Sequence, residues 1–246
     1  MSVAVLLASA VIGVVLGALG GGGAVLAMPI LLYVARVPPR EAIATSLVVV
    51  GATSAVGAWL KARRGEVRVK QALVFAGAGV LGALAGAWVG AMLAPRLLIV
   101  AFAALMLVSA VMMARPVKDR RPDLRPWLVV PVGLASGFIT GAVGAGGGFI
   151  VVPALTLVLG VPMREATGTS LLVIALQSAV AAAAQLGHVR VDLALAAGMA
   201  VAAVGGVLLG SRLGRALPVA GLRRGFAGLM VVAAVYLAGR TLVAGA

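Results

Sequence analysis

The chain carries the stretch Gly20-Gly21-Gly22-Gly23-Ala24-Val25-Leu26-Ala27-Met28-Pro29, followed by Arg40-Glu41 and Thr45-Ser46-Leu47. The pattern returns 124 residues later as Gly144-Ala145-Gly146-Gly147-Gly148, then Pro153, Arg164-Glu165 and Thr169-Ser170-Leu171. Aligned without a gap, positions 20–47 and 144–171 are identical at 14 of 28 places. The identities include Gly, Pro, Arg, Glu, Thr and Ser, which chance similarity between apolar segments would not produce. The sequence therefore predicts two homologous halves with one unusual element in each.

The composition is that of an integral membrane protein. Of the 246 residues, 63% are hydrophobic and 11% are charged, and the mean hydropathy is +1.20. Soluble domains have roughly 45–50% apolar and about 25% charged residues. Apolar runs of about 20 residues recur, the length at which a helix crosses the hydrocarbon core. These runs do not alternate apolar and polar residues as barrel strands do, so we predict an all-α membrane protein.

Each half is predicted to hold about four full spans and one short segment broken by Gly and Pro. The N-terminal transmembrane repeat covers 1–114, a basic cytoplasmic linker covers 115–126, and the C-terminal transmembrane repeat covers 127–246. The N-terminus lacks the positive region of a signal peptide, so the first span is expected to stay attached. The predicted segments are Val3–Leu19, Ala24–Val37 (short), Glu41–Leu60, Val69–Leu93, Leu97–Ala114, Trp127–Val143, Phe149–Gly160 (short), Glu165–Leu186, Val191–Leu213 and Ala220–Leu242.

The distribution of Lys and Arg bears on the orientation of the halves. If the two short segments dip into the membrane and return, one side holds 12 of the 20 basic residues. If they cross, that side holds 15 of the 20. The positive-inside rule favours the second arrangement, in which the halves have inverted topology and both termini lie outside.

Glycines four residues apart predict close packing between helices. They occur at Gly82, Gly86 and Gly90, and again 124 residues later at Gly206, Gly210 and Gly214. Small residues at this spacing let helix backbones approach each other in lipid. We interpret both sets as packing surfaces rather than ligand sites.

The glycine clusters are the candidate binding elements. Consecutive glycines disfavour helix by about 1 kcal/mol each relative to Ala, and unwound backbone at membrane depth is tolerated only where protein or water covers it. Such a break exposes peptide N–H groups at the start of the following short helix, where an anion is favoured. A tight turn between closely packed helices is the alternative. The predicted substrate-binding glycines are Gly20, Gly21, Gly22, Gly23, Gly144, Gly146, Gly147 and Gly148.

Polar side chains beside these breaks are the second part of the predicted site. Ser46 and Thr53 are two helical turns apart and share a face, as do Ser170 and Gln177. Their donors could bind a substrate, or could bond between helices or to the preceding turn of their own helix. The predicted substrate-binding side chains are Thr45, Ser46, Thr53, Thr169, Ser170 and Gln177.

Prolines and charged pairs flank each break and are predicted to have structural or gating roles. Pro29 and Pro153 lie inside the short segments, and Arg40-Glu41 and Arg164-Glu165 open the next helix. A Glu in the first turn favours the helix dipole, so capping or ion pairing is one interpretation. An arginine at the entrance for an anion is the other.

Several classes of function lack the residues they need. None of the six acids lies in the middle of a predicted span, although cation transporters and proton relays usually keep an acid inside the membrane. The chain has no cysteine, one histidine, and no P-loop or Ser/His/Asp set. We therefore expect no enzyme, metal or cofactor, and the positive charge is better explained by membrane topology than by nucleic acid.

The repeated segments resemble the TauE/SafE sulfite exporter family of membrane permeases over about residues 3–242. Gly20–Gly23 with Pro29, Gly144–Gly148 with Pro153, and Thr45-Ser46-Leu47 with Thr169-Ser170-Leu171 carry the resemblance. It implies secondary transport of small sulfur-containing anions, such as sulfite, thiosulfate or organosulfonates, across a bacterial or archaeal inner membrane.

From the residues and the resemblance together, we expect a multi-pass permease of the inner membrane that binds a small anion and works by alternating access, with one half rocking against the other. Protons are a candidate coupling ion and could travel on the substrate. The alternatives are a transporter of another small metabolite, such as an organic carboxylate or cation, and a membrane scaffold that transports nothing. The exact substrate, the direction of transport and the oligomeric state are left open.

Overall fold

A computed structural model describes residues 3–24, 27, 30–93, 95–114, 126–143, 148–185 and 192–243. The predicted linker lies outside these ranges, apart from its last residue. Nine α-helices occur in the described part of the chain, and none of its residues lies in a β-strand, which confirms the all-helical prediction. They are α1 (Val3–Leu19), α2 (Pro39–Ala62), α3 (Val69–Gly90), α4 (Pro95–Ala114), α5 (Val129–Val143), α6 (Gly148–Pro153), α7 (Met163–Gln185), α8 (Leu193–Ala216) and α9 (Val219–Val243).

Several of these helices have the length and apolarity that a membrane span requires. Four described segments of 22 to 24 residues meet both conditions: Glu41–Ala62, Val69–Gly90, Met163–Gln185 and Leu193–Ala216. Shorter apolar helices occupy Val3–Leu19, Val129–Ala142 and Gly148–Val158. Large apolar side chains also face outward, including Leu84 at 67% exposure and Val201 at 74%. In a membrane protein, such side chains contact lipid rather than water.

The two short segments are irregular in the same way. In the first half, Gly21–Gly23 forms a 3₁₀ turn and Ile30–Val34 forms a π turn. In the second half, α6 ends at Pro153 and a π turn follows at Ala154–Val158. Proline lacks the N–H that an α-helix needs, so the hydrogen-bond pattern changes at this point. Neither segment forms one uninterrupted α-helix.

The helices pack mainly in four pairs, and each pair joins one half of the sequence to the other. The pairs are α1 with α8, α3 with α5, α2 with α7, and α4 with α9. In each half, the helix of the first predicted segment packs against the helix of the fourth predicted segment of the other half. Thus α1 packs against α8, and α5 packs against α3. The pairing pattern is therefore unchanged when the two halves are exchanged.

The glycine ladders form the closest of these contacts and confirm the predicted packing surfaces. A Cβ atom placed on Gly206 would overlap the Ala10 carbonyl oxygen, and one on Gly210 would overlap that of Val14. The backbones of α1 and α8 therefore touch directly, and we call this contact the α1–α8 seam. The α3–α5 seam has the same contacts at residue numbers shifted by 124: Gly82 with Leu134, and Gly86 with Phe138.

Helices α2 and α7 cross at the centre and run in opposite directions. Gly51 lies against Ser178, Gly57 against Leu171, and Lys61 bonds to Thr167. Residue numbers thus rise along α2 while they fall along α7. The end of α2 consequently lies beside the beginning of α7.

Candidate functional site

The first glycine break ends α1 and turns the chain against α7. The Gly20 N–H donates to the Leu16 carbonyl (2.9 Å), and Gly20 then adopts a left-handed conformation with φ 76°. Glycine takes this conformation without the strain of a side chain. A Cβ on Gly20 would lie 2.7 Å from Ser170 Oγ and 2.9 Å from the Thr167 carbonyl oxygen. The break is therefore held directly against the first turns of α7.

The second glycine break meets the first one. Gly144, Gly146 and Gly147 lie outside the described residues, but Gly148 is the buried first residue of α6. A Cβ on Gly21 would overlap the Gly148 carbonyl, and one on Gly148 would lie 2.9 Å from the Gly21 carbonyl oxygen. The two breaks thus touch backbone to backbone, and only glycine permits this distance.

The contact lies at the middle of the bundle. A Cβ on Gly21 or Gly148 would lie 3.2 Å or 2.9 Å from Ile174 Cδ1, and Ile174 is halfway along α7. The third glycine, Gly23, packs against Ile12 and Leu16 of α1 instead, and Gly22 completes the 3₁₀ turn between them. The glycine contact therefore sits at mid-depth in a helix long enough to cross the membrane.

Two of the three predicted polar residues of α2 bond to their own helix, and the third is buried. Thr45 is buried at 1% exposure. Ser46 Oγ donates to the Ile43 carbonyl oxygen (2.8 Å), and Thr53 Oγ1 donates to that of Val49 (2.5 Å). Both hydroxyl protons are therefore committed to backbone carbonyls, the bonding pattern typical of Ser and Thr inside helices.

The predicted polar residues of α7 have three different environments. Ser170 Oγ donates to the Thr167 carbonyl oxygen (2.9 Å), beside Gly20. Thr169 Oγ1 accepts the backbone N–H of Arg68 (3.0 Å) and so holds the α2–α3 loop. The half-buried Gln177 places its amide against Gly79 of α3. The structure thus brings Ser170 to a glycine break, whereas Thr169 and Gln177 face α3 and the loop that precedes it.

The predicted structural and gating residues lie at the helix ends. Glu165 accepts a hydrogen bond from Arg68 Nε at 2.5 Å, and both side chains are about 30% exposed (27% and 31%). Arg164 Nη2 reaches the carbonyl oxygens of Arg215 (3.5 Å) and Leu217 (3.4 Å) at the end of α8. Glu41 is half-buried in the first turn of α2. Pro29 and the side chain of Arg40 lie outside the description, and Pro153 is buried where α6 ends.

Lys61 lies next to the predicted site residues but was not singled out from the sequence. It lies in the last turn of α2, is only 7% exposed, and donates from Nζ to Thr167 Oγ1 (2.7 Å). The sequence places Lys61 in a polar stretch, 61–65, that closes the predicted span. Helix α2 instead extends to Ala62, and the lysine side chain lies between Thr167 of α7 and Glu66 of the following loop. A span prediction extended by one residue would have put this charge inside the helix.

The described part of the surface also has an apolar groove. It has a volume of about 390 Å³ between α2 and α7 and is lined by apolar side chains, among them Ala58, Trp59, Leu172 and Leu176. None of the predicted site residues lines it. Nor do the described residues contain a group of three or more His, Cys, Asp or Glu side chains that could hold a metal.

Comparison with known proteins identifies the family. The family described as "Sulfite exporter TauE/SafE" matches residues 5–237, nearly the whole chain. The chain belongs to the TauE/SafE family. The resemblance based on the glycine segments is thereby confirmed, and the protein is a multi-pass membrane protein.

Curated relatives of this TauE/SafE protein carry similar names. A "Probable membrane transporter protein" of Xylella fastidiosa (strain 9a5c) is 32% identical over 240 residues, covering 94% of this chain and 92% of the relative. A protein of the same name from strain Temecula1 has the same identity and coverage. "Probable membrane transporter protein YdhB" of Bacillus subtilis (strain 168) is 26% identical over 178 residues, covering 69% of this chain and 73% of the relative. No solved structure matches the chain.

Proposed function

We propose that this protein is a secondary transporter of small sulfur-containing anions, such as sulfite, thiosulfate or organosulfonates, and that it works by alternating access. The family description and the names of the relatives support membrane transport. The observation that carries the proposal is the contact between Gly21 and Gly148, where two irregular segments meet halfway along α7. Transporters of repeated topology place their substrate sites at such broken helices near the midplane.

The two halves, 1–114 and 127–246, form an inverted repeat in this proposal, with the linker 115–126 in the cytoplasm. Inverted halves place equivalent helices antiparallel, and α2 and α7 have this relation. The ion pair between Arg68 and Glu165 and the bond between Lys61 and Thr167 also support it. If the short segments only dipped into the membrane, the end of α2 and the beginning of α7 would lie on opposite sides.

The proposed pathway passes between the two glycine breaks. Peptide N–H groups of Gly20–Gly23 and Gly144–Gly148 bind the anion, with side-chain donors from α2 and α7. In the conformation described, the contact between Gly21 and Gly148 closes this pathway. The hydroxyl protons of Ser46, Thr53 and Ser170 bond to backbone carbonyls, so each must rotate before it can donate to a substrate. Transport thus requires the two breaks to separate.

Flux into proteoliposomes tests the transport proposal. Purified protein is reconstituted, and uptake of labelled sulfite and thiosulfate is measured with and without an imposed pH gradient. We expect saturable uptake that competing anions inhibit and equal concentrations of organic cations do not. Protein-free liposomes and liposomes with heat-denatured protein serve as controls. Uptake of sulfite, thiosulfate and a labelled organosulfonate that is no faster than in these controls would reject the proposed substrate class.

Single cysteines test the inverted topology, because the chain has none of its own. A cysteine is placed at Lys70, Met92 or Leu217, which are all exposed, and is labelled in intact cells with a membrane-impermeant maleimide. We expect Leu217 to react from the same side as Lys70 and Met92 from the opposite side. If the cysteine at Leu217 reacts from the same side as the cysteine at Met92, the short segments do not cross the membrane. That result would refute the inverted repeat.

A further inference from the structure

Lys61 is a buried cation whose hydrogen-bonding capacity is only partly used. An ammonium group has three N–H donors, and the described residues offer it one close acceptor, Thr167 Oγ1 at 2.7 Å. The nearest described carboxylate oxygen, Glu66 Oε2, is 3.9 Å away, beyond hydrogen-bond distance. Thr167 in turn donates to the Arg164 carbonyl oxygen (2.7 Å), so its hydroxyl is fixed to accept from the lysine.

Positive charge exceeds negative charge around this ammonium group. The charges of Arg64 and Arg164 act on Lys61, and Arg64 Nη1 is buried without a hydrogen-bond partner among the described residues. Of the two nearby carboxylates, Glu165 is engaged by Arg68, which leaves Glu66. Buried charges are stable in proteins when they are paired. The cluster is therefore short of an anion.

This cluster adjoins the first glycine break. Thr167 accepts the hydrogen bond from Lys61, and Gly20 packs against the same residue. A Cβ added to Gly20 would lie 2.9 Å from the Thr167 carbonyl oxygen. The glycine contact at Ile174 lies seven residues further along α7, about 10 Å at the helical rise. Lys61 is thus placed at one end of the proposed pathway, within two helical turns of its centre.

At the other end of the pathway, the position equivalent to Lys61 does not hold a cation. The residue that corresponds to Lys61 in the second half, 124 positions later, is Gln185, a half-buried residue at the end of α7. In an inverted repeat, these two residues lie at opposite ends of the pathway. A lysine needed only to end a helix would not require burial, since lysines at helix ends are ordinarily exposed.

We propose that the Lys61 ammonium, which the Thr167 hydroxyl oxygen holds in place, binds the transported oxyanion at the end of the pathway where α2 ends. This assignment rests on the proposed anion transport and adds to it the residue that recognises the charge. An oxyanion such as sulfite supplies the acceptors that the ammonium and Arg64 lack. When it enters, it replaces Thr167 as the nearest acceptor of Lys61, and from there it reaches Gly20.

Three variants test the assignment in sulfite flux. Lys61→Gln removes the charge but keeps a donor for Thr167, and it copies the residue at position 185. Lys61→Arg keeps the charge, and Lys70→Gln removes one charge at an exposed position in the first turn of α3. We expect Lys61→Gln to raise the KM for sulfite at least tenfold with an unchanged melting temperature. Lys61→Arg should restore KM to within threefold of the parent protein, and Lys70→Gln should leave it unchanged.

The outcomes separate this assignment from the proposed function. If the parent protein transports sulfite and Lys61→Gln has the same KM, Lys61 is structural and the assignment is wrong. If the parent protein transports none of sulfite, thiosulfate and the labelled organosulfonate, the proposed function itself has failed. If Lys61→Gln does not fold, the test is made on the parent protein. Its lysines are acetylated with acetic anhydride in the presence and in the absence of sulfite. Sulfite should then slow modification of Lys61 relative to Lys70, and equal rates with and without sulfite overturn the assignment.

Discussion

Replacing Gly206 by Ala should weaken the α1–α8 seam, and its neighbour Gly205 provides a matched control. A Cβ on Gly206 would overlap the Ala10 carbonyl oxygen and lie 2.9 Å from the Val14 amide nitrogen, whereas one on Gly205 would meet nothing within 4 Å. Both substitutions add the same methyl group to the same helix. The difference between the two variants therefore measures the packing alone.

The two substitutions are expected to change the free energy of unfolding in opposite directions. Ala gains about 1 kcal/mol of helix propensity over Gly, so Gly205→Ala should be stabilising by up to that amount. At Gly206, both neighbours are backbone atoms and cannot rotate away, so α8 must shift by roughly 1 Å to restore contact distance. Overpacking of this kind costs about 1–3 kcal/mol. Because both variants gain the same helix propensity, we expect Gly206→Ala to be less stable than Gly205→Ala by the overpacking cost alone, about 1–3 kcal/mol.

The assay is equilibrium unfolding of the purified protein in mixed micelles, with dodecyl sulfate as denaturant and helicity as the signal. The α3–α5 seam offers an independent repeat. There Gly82 meets the Leu134 carbonyl, while Gly77 has nothing within 4 Å. Equal stabilities within about 0.5 kcal/mol for both pairs of variants would refute direct backbone contact at the seams.

Three further substitutions have definite expectations. Asp192→Ala removes the side chain that accepts from Ala194 N and Leu195 N (both 3.0 Å) at the start of α8, and should lower unfolding free energy by about 1 kcal/mol, with Asn restoring most of it. Gly20→Ala forces a side chain into φ 76° and should cost about 1–2 kcal/mol, read as a lower melting temperature. A double-mutant cycle on Arg68 and Glu165, both replaced by Gln, should give a coupling of about 1 kcal/mol or less, because both are about 30% exposed. A coupling energy above about 3 kcal/mol would contradict the argument from the exposure of the two side chains.

Sequence reasoning predicted the elements of this fold well because its signals are local. The bounds of α1 are those predicted, Val3–Leu19, since an apolar run ends there at four glycines. Proline and glycine marked both irregular segments, and the four-residue glycine spacing marked both seams. In each case the residue type itself indicates the conformation or the packing of the backbone at that position.

The partners of each helix could not be predicted in this way. In lipid every face of a spanning helix is apolar, so the pattern of hydrophobic residues does not identify the buried face. The ladder at Gly82 therefore predicts a seam but not that α5 forms its other side. Side-chain direction was equally hidden, since Ser46 and Thr53 donate to their own helix rather than toward the pathway. Lys61 is buried and bonds to Thr167 of α7, a contact between the two halves that the local sequence does not indicate.

The seams also determine which parts of a transporter of this architecture can move. Both the α1–α8 seam and the α3–α5 seam join the first half to the second. Rocking of one half against the other would therefore separate two backbone-to-backbone contacts at once, with little to replace them in lipid. The motion we propose costs less free energy if α1 and α8 move together as one body and α3 and α5 as another. Both bodies would then move against the central pair α2 and α7. The glycine breaks follow α1 and α5 in the chain, so relative motion of these two bodies would pull Gly21 and Gly148 apart. The contact that we propose closes the pathway thus lies where the two bodies meet.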